Sequence, residues 1–230
     1  IIYFFKSINL GKSLKNSLII AFFGIIITTF LSLSIIFISG YFPKKIRNII
    51  DIVVTLPLFI PPSVSGYFIL SVFGVQGVIG KPFYDYFGIR FTFTVYGAVI
   101  AGVIVSLPIV YQSIKLAISS IDREYFEEAE LLGANNYHFF VDIVFPMSKR
   151  GIFAGIVLGA GRILGEFGAT LMVAGNIPNK TQTLPIAIYS AVENGEDKEA
   201  MFLVLIVLWI SIVIMFVYNF LKKRGDERNV

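Results

Sequence analysis

Two residues of opposite charge, Arg162 and Glu166, lie inside a long apolar stretch of the sequence. A charge at membrane depth is costly, so such residues usually face the protein interior and either pair with each other or mark the path of an ion. A spacing of four residues places both side chains on one face of a helix, where they can neutralise each other. We favour this structural ion pair. The alternative is that Arg162 attracts a passing anion, which Glu166 would repel.

Neutral groups can also bind an anion, because hydroxyls and the backbone N–H groups at helix N-termini are donors. Ser63 and Ser65 follow two prolines in one apolar stretch, and Thr170 follows Glu166 in another. A hydrogen bond between neighbouring helices is the simpler role for each hydroxyl. Small residues near Glu166 allow close helix contact, which suits a gate or a seam between two copies of the chain; they are Gly161, Gly165, Gly168 and Ala169. The candidates for a pore or gate are Pro61, Pro62, Ser63, Ser65, Arg162, Glu166, Gly168 and Thr170.

The most charged interior segment, residues 124–146, lies between two apolar stretches. It contains two short helical patterns joined at a Gly-Ala-Asn-Asn turn, and Gly133 is expected to end the first helix with a positive φ angle. Pro146 is expected to close the second helix. Polar helices gain little from lipid, and an apolar stripe with acidic flanks can enter a groove of another protein. An ordinary solvated loop helix is the alternative.

The sequence lacks the residues that several kinds of site require. It has no cysteine and one histidine, His138, which excludes disulfides, thiolate catalysis and metal sites built on Cys or several His. It contains no G-x-x-x-x-G-K-[ST] loop, so any ATP that is used must bind another chain. The net charge of +4 does not require nucleic acid, because membrane proteins collect Lys and Arg in cytoplasmic loops.

Helices that cross a membrane must position these residues. Of the 230 residues, 56% are hydrophobic and 15% are charged, whereas a soluble domain has about 25% charged residues. A membrane span needs about 20 apolar residues. The sequence therefore predicts an all-α polytopic membrane protein with about five spans, in one transmembrane domain over residues 1–230. The predicted spans are residues 14–39, 49–75, 93–116, 151–174 and 201–221.

The second predicted span contains Pro57, Pro61 and Pro62. Broken backbone at membrane depth survives only where it is buried in protein or lines a cavity, so we expect this helix to face the bundle interior. A short basic turn is expected before it, at residues 40–47. We further expect an interfacial loop at residues 76–91. A polar loop is expected at residues 175–200, with the acids at 193–199 on a solvated external surface.

Lys and Arg residues are more frequent in one set of loops than in the other. The richer set comprises residues 40–50, 115–150 and 222–230, and an excess of positive charge marks the cytoplasmic side. This assignment places residues 122–146 in the cytoplasm, as a helix-turn-helix between the third and fourth spans.

Five residues of this segment stand at a distinctive spacing: Glu127, Ala129, Gly133, Ile143 and Pro146. The spacing resembles the EAA loop of ABC-importer permeases, in which Glu-Ala-Ala is followed three residues later by Gly, and then by Ile-x-Leu-Pro. Two residues depart from that pattern without altering the spacing, since Glu128 replaces the middle Ala and Phe145 replaces Leu. The resemblance implies that this loop docks on an ATPase subunit through Glu127, Glu128, Ala129, Gly133, Ala134, Ile143 and Pro146.

Further segments extend the resemblance over most of the chain. They are LPLFIPPSVSGY at residues 56–67, GVIG at 77–80, LGEFGAT at 164–170, Asn-Ile-Pro at 176–178 and Thr-Leu-Pro at 183–185. Together they are similar to the permease subunits of molybdate/tungstate ABC transporters. Sulfate permeases share much of this pattern, including a version of the Glu-Phe-Gly segment.

The resemblance implies the permease subunit of an ATP-driven importer that moves molybdate or tungstate by alternating access across the cell membrane of a bacterium or archaeon. It implies a homodimer with the pore on its two-fold axis, two cytoplasmic ATP-binding subunits that hold ATP and Mg, and an external oxyanion-binding protein. The chain is then not an enzyme and binds no metal or cofactor of its own. It contacts membrane lipid, and no nucleic acid. A permease for sulfate, thiosulfate or another oxyanion is the alternative, and a membrane scaffold without a transport role is a remote one.

Overall fold

The structure is a computed structural model that describes residues 10–131, 133 and 138–226. Regular secondary structure in these residues is helical throughout, which confirms the predicted all-α class. A 3-10 turn at Leu56–Leu58 follows the second helix, and a π-helix at Phe139–Val144 precedes the seventh. The α-helices of the described residues are α1 (Leu10–Ser39), α2 (Lys44–Thr55), α3 (Pro62–Phe73), α4 (Gly80–Phe87), α5 (Val95–Ser119), α6 (Arg123–Leu131), α7 (Phe145–Leu164), α8 (Gly168–Ala174), α9 (Leu184–Glu193) and α10 (Asp197–Asp226).

The described helices provide four or five elements that can cross a membrane, which confirms the predicted number. By length and composition these are Gly11–Ser39, Val95–Ser119, Phe139–Leu164 and Asp197–Lys222. The pair α2 and α3 is the fifth if the two helices together form one bent span.

Helix α5 is the centre of the bundle and packs against α1 and α7. Its contact with α7 depends on three glycines spaced four residues apart, Gly151, Gly155 and Gly159. A Cβ atom added to Gly159 would lie 2.3 Å from Cγ2 of Val110 on α5. Small residues at this spacing let membrane helices approach closely. This glycine stripe was not predicted from the sequence, although its regular four-residue spacing indicates such a contact.

The second predicted span is two helices that meet at 111°. The bend follows the prolines, because a proline has no N–H to donate to the preceding turn. Helix α2 starts at Lys44, so the basic residues expected in a turn lie on its first turn instead. The expected burial holds for part of the segment: Ser65 and Ile69 are buried in α3, whereas Phe59 is 82% exposed on the single chain.

The fourth predicted span is also broken, contrary to the expectation of one helix over residues 151–174. Helix α7 ends at Leu164, and α8 starts at Gly168. Glycine has low helix propensity, and Gly165 and Gly168 flank the break. Phe167, between them, has φ −120° and ψ −60°, outside the α-helical region.

Two regions expected to be loops contain helices. Within residues 175–200, α9 packs its apolar side on α10, with Leu184 and Leu203 buried in one cluster. Pro185 lies in its first turn, where a missing N–H costs nothing. Within residues 76–91, α4 ends at Gly88, whose φ of +65° terminates the helix. The region 175–200 was predicted to be a polar loop because of the acidic residues near α9, and the apolar pattern of α9 was not recognised.

Candidate coupling surface and pore site

The first half of the predicted docking segment is helix α6, which precedes the Gly133 turn. Glu127 and Glu128 are exposed on it, while Ala129 is 4% exposed. Gly133 has φ +71°, as predicted for the residue that ends this helix, and a Cβ atom added there would meet no atom within 4 Å among the described residues beyond its chain neighbours. Ala134, the next predicted docking residue, lies outside the described residues. The acids thus face outward from a helix that keeps its small residue inward.

The second half of the segment corrects one prediction, because Pro146 does not close a helix. The π-helix at Phe139–Val144 continues directly into α7, and Pro146 lies in the first turn of α7. The backbone N–H of Phe145 donates to the carbonyl of Phe140, five residues back. Pro146 has no N–H to donate to the carbonyl four residues back, and a proline is tolerated in a first helical turn.

This continuity joins the predicted docking segment to the helix bundle. Ile143 is half-buried and Val144 is 4% exposed, whereas Pro146 is exposed. The 26 residues from Phe139 to Leu164 form one uninterrupted helical rod. A force applied to the docking segment would therefore act directly on α7.

The predicted ion pair is present, although its geometry differs from the expected one. Arg162 Nη1 and Glu166 Oε2 lie 2.7 Å apart. Arg162 is in the last turn of α7, but Glu166 lies beyond the end of that helix. The other oxygen of Glu166, Oε1, accepts a hydrogen bond of 2.9 Å from the backbone N–H of Ala169, in the first turn of α8.

Glu166 is only 3% exposed, and both of its oxygens have a donor. A buried carboxylate with such partners is tolerated, and one without them is strongly destabilising. The carboxylate therefore joins two consecutive helices across a break. This geometry favours the structural interpretation of the pair over direct binding of an anion by Glu166.

The two helix breaks lie next to each other. A Cβ atom added to Gly168, at the start of α8, would lie 2.9 Å from Cβ of Pro62, at the start of α3. One added to Gly66 would lie 2.7 Å from Cβ of Met172. Interrupted helices at membrane depth are expected at cavities or within protein. The structure thus brings the two groups of predicted pore residues to one place.

The exposure of the pore candidates divides them into two groups. Ser65 and Thr170 are buried at the contact between α3 and α8, which suits packing between helices. Pro61, Pro62 and Ser63 are exposed on the single chain. The Arg162 side chain is 32% exposed. The exposed group is the part of the predicted site that is left uncovered on the single chain.

Two glycines expected at a seam between copies have different surroundings. A Cβ atom on Gly161 would lie 3.3 Å from Cγ2 of Ile214, so this residue faces α10 of its own chain. One on Gly165 would meet the carbonyl oxygen of Gly161 at 3.6 Å, within its own turn. Gly161 is therefore packed inside the single chain.

A cluster of three polar residues near the C-terminal end of α5 was not predicted from the sequence. The carboxylate of Asp51 accepts a hydrogen bond from the Tyr111 hydroxyl and pairs with the Lys115 ammonium. Asp51 is the one acidic residue between positions 49 and 75. A charge in such a stretch is by default a candidate for function, and this signal could have identified the cluster.

The acids at residues 193–199, predicted to be external, include one with an identified partner. Glu193 accepts a hydrogen bond of 2.5 Å from the Tyr189 hydroxyl on α9, and this bond raises the pKa of Tyr189. The Tyr189 ring also contacts Phe167, with 5.2 Å between ring centroids. Among the described residues there is no group of three or more His, Cys, Asp or Glu that could hold a metal ion.

Residues 32–228 match the model of a family described as binding-protein-dependent transport system inner membrane component. The chain is 38% identical over 183 residues to the molybdenum transport system permease protein ModB of Haemophilus influenzae, covering 79% of this chain and 80% of the relative. It is 34% identical over 219 residues to a probable sulfate transport system permease protein of Chlorokybus atmophyticus, covering 95% of this chain and 73% of the relative.

Among solved structures, a bacterial alginate ABC transporter in complex with its pentasaccharide-bound periplasmic protein is similar in fold. The TM-score is 0.70 at 18% identity, covering 93% of this chain and 78% of that chain.

Proposed function

The chain belongs to the family of binding-protein-dependent transport system inner membrane components, and we propose that it is the permease subunit of an ATP-driven importer of molybdate or tungstate. Its helices make it a multi-pass membrane protein. One observation carries the proposal: the chain matches the molybdenum permease of Haemophilus influenzae over about four fifths of both chains. The sulfate permease that it also matches has lower identity. Sulfate or thiosulfate is therefore the alternative cargo.

The proposed assembly contains two copies of this chain, two ATP-binding subunits and an external oxyanion-binding protein. The distribution of Lys and Arg supports a cytoplasmic position for the segment 122–146. The exposed acids of α6 and the Gly133 turn then form the surface that docks on the ATP-binding subunit, where ATP and Mg bind. The membrane is the cell membrane of a bacterium or archaeon.

Alternating access follows from the way this surface is connected. Helix α5 enters the segment, and the rod from Phe139 to Leu164 leaves it. When ATP draws the two ATP-binding subunits together, each docking segment moves with its subunit. Because α5 and α7 pack tightly along the glycine stripe, they move as one body, and the pore between the two copies changes its open side.

The two adjacent helix breaks are the proposed place where the pore is closed. Glu166 holds α7 and α8 together and gives Arg162 a permanent counter-ion. The exposed Ser63 and the exposed part of Arg162 are the donors available to a tetrahedral dianion. Tight selection among oxyanions belongs to the external binding protein, since molybdate, tungstate and sulfate share shape and charge.

The test is uptake of labelled molybdate by the complete complex in proteoliposomes with internal ATP. We expect uptake that requires ATP and the binding protein, and that excess tungstate inhibits more strongly than excess sulfate. Stronger inhibition by sulfate would favour the sulfate permease. If no ATP-binding subunit remains with the chain after mild detergent extraction, the transport role itself is contradicted and the scaffold alternative gains support.

A further inference from the structure

Helix α2 is tied to the central helix α5 by three side chains. Tyr111 Oη donates a hydrogen bond of 2.5 Å to Oδ1 of Asp51, and the Lys115 ammonium pairs with Oδ2 of the same carboxylate. Lys115 Nζ also lies 5.8 Å from the centroid of the Tyr111 ring. Each oxygen of Asp51 thus has its own donor, and the two donors lie on successive turns of α5.

Little else holds α2 against the bundle. Val54 is 8% exposed, whereas Ile52 and Val53 are 64% and 62% exposed. The hydrogen bonds from the Arg47 and Thr55 side chains go to backbone carbonyls at most seven residues away in sequence. The position of α2 relative to α5 therefore depends on Asp51 more than on apolar packing.

A hinge lies at the end of α2. The 111° bend between α2 and α3 falls at residues 56–61, where Pro57 and Pro61 donate no backbone hydrogen bond. Helix α3 beyond the bend is held against α8, where Gly66 approaches Met172. A few residues at the end of an element can absorb the rotation of a rigid body, so α2 can move while α3 stays in place.

The charges of this tie are only partly buried on the single chain. The Asp51 and Lys115 side chains are 29% and 43% exposed. Breaking a fully buried ion pair is strongly destabilising, because it leaves two unpaired charges in the protein interior. Separating Asp51 from Lys115 avoids that full cost, because neither side chain is fully buried. Lys115 also lies one turn before the end of α5 at Ser119, and α6 starts at Arg123. Movement of the docking segment therefore acts close to this tie.

We propose that Asp51, Tyr111 and Lys115 form a releasable latch between α2 and α5, which opens and recloses during the transport cycle. They are positioning residues, since they set where α2 lies. The existence of the latch rests on the geometry alone, whereas its opening in the cycle rests on the proposed function. The two parts are tested separately.

The first experiment uses the full chain in detergent, with Val54→Cys as a reporter. The sequence has no cysteine, so this residue is the sole thiol. Val54 is buried one turn after Asp51, and N-ethylmaleimide reaches it only when α2 separates from the bundle. Asp51→Asn is expected to speed labelling about tenfold, as expected for losing a charge-assisted pair. Ile46→Cys, at an exposed position on the same helix, reports any general change in reactivity.

Two matched variants separate the latch from a general loss of packing. Asp85→Asn makes the same chemical change on the exposed helix α4 and should leave the rate at Val54→Cys unchanged. The exchange Asp51→Lys with Lys115→Asp should return the rate to within about threefold of the parent, because opposite charges again face each other while the Tyr111 hydrogen bond to Asp51 is lost. Equal labelling of the Asp51→Asn and Asp85→Asn variants would overturn the latch. If Asp51→Asn does not fold, Tyr111→Phe replaces it, with about threefold faster labelling expected.

The second experiment tests opening, in the complex with its ATP-binding subunits. We expect the labelling rate at Val54→Cys to differ about threefold or more between nucleotide-free and ATP-bound complex. Equal rates in a complex that hydrolyses ATP would show a static tie and overturn the release. If the subunits do not bind the chain, the proposed function fails and release in a cycle fails with it, while the first experiment still decides whether the latch exists.

Discussion

Glutamates occupy opposite environments at two points of this chain. In the docking segment, Glu127 and Glu128 are exposed on α6. At the break between α7 and α8, Glu166 is 3% exposed and both of its oxygens have donors within the chain. The glycines differ in the same way: Gly133 has open space around it, while Gly168 abuts Pro62.

The difference shows which region has its charged groups paired within the single chain and which leaves them exposed. At the helix break, both oxygens of Glu166 have donors within the chain, so substitutions at the Arg162–Glu166 pair are expected to affect folding first. The docking segment leaves its acids and its turn exposed, so substitutions there are expected to affect binding of a partner first. Substitutions that separate folding from assembly therefore test the comparison directly.

The largest effect is expected for Gly133→Asp. Apart from its chain neighbours, no atom of the described residues lies within 4 Å of the new Cβ, so the fold should tolerate the substitution, apart from the cost of a non-glycine residue at positive φ. Docking on the ATP-binding subunit should weaken by about 2 kcal/mol or more, a loss typical of residues central to an interface, and transport should be abolished. The measurements are co-purification of the subunit and uptake.

Gly88→Asp is the matched control. Gly88 has φ +65° and an equally open Cβ position, but lies at the end of α4, outside the segment 122–146. Uptake should persist in this variant. Normal uptake by Gly133→Asp would refute the docking assignment, and equal loss in both variants would attribute the effect to backbone strain.

The second effect is expected at the ion pair. Arg162→Ala leaves the buried Glu166 without its counter-ion, which should cost about 3 kcal/mol of stability. The double variant Arg162→Ala/Glu166→Ala removes that penalty and should be the more stable of the two, although it also loses the hydrogen bond to Ala169. Thermal unfolding in detergent provides the comparison. A double variant that is no better folded than the single one would weaken the structural interpretation.

The smallest effect concerns packing along α7. The added Cβ of Gly159→Ala would lie 2.3 Å from Val110 Cγ2, and overpacking of this kind costs about 1–3 kcal/mol. Gly165→Ala meets its nearest neighbour at an ordinary 3.6 Å and should change stability by less than about 0.5 kcal/mol. Equal unfolding temperatures for both variants would show that the contact between α5 and α7 adapts to a larger residue.

Sequence analysis predicted the helical class, the number of spans, the Gly133 turn and the partnership of Arg162 with Glu166. These features depend on local composition and on spacings of a few residues, which a single sequence shows directly. It failed where the outcome depends on contacts between distant segments. In the sequence, Asp51 is a single acidic residue in an apolar stretch. Only the fold shows that Tyr111 and Lys115, 60 or more residues away, lie beside it.

Two errors have local causes. Pro146 indicated the end of a helix, but a proline in the first turn of a helix gives the same sequence signal as one just after a helix. The apolar stretch at residues 151–174 indicated one continuous helix, whereas Gly165 and Gly168 flank a break within it. The pore assignments stay predictions, because they depend on a second copy and on a bound ion.

The burial of the spans bears on how the chain is made. Helix α10 is the most apolar of the long helices, yet only 11% of its apolar 18-residue segment is buried, against 67% of the corresponding segment of the less apolar α5. A helix such as α10 gains enough from lipid to enter the membrane alone. Helix α5 gains more from its neighbours, so its insertion should depend on α1, which is synthesised before it, and become secure when α7 emerges. Assembly of this protein would then centre on α5, its most buried long helix, and end with α10, its most exposed one.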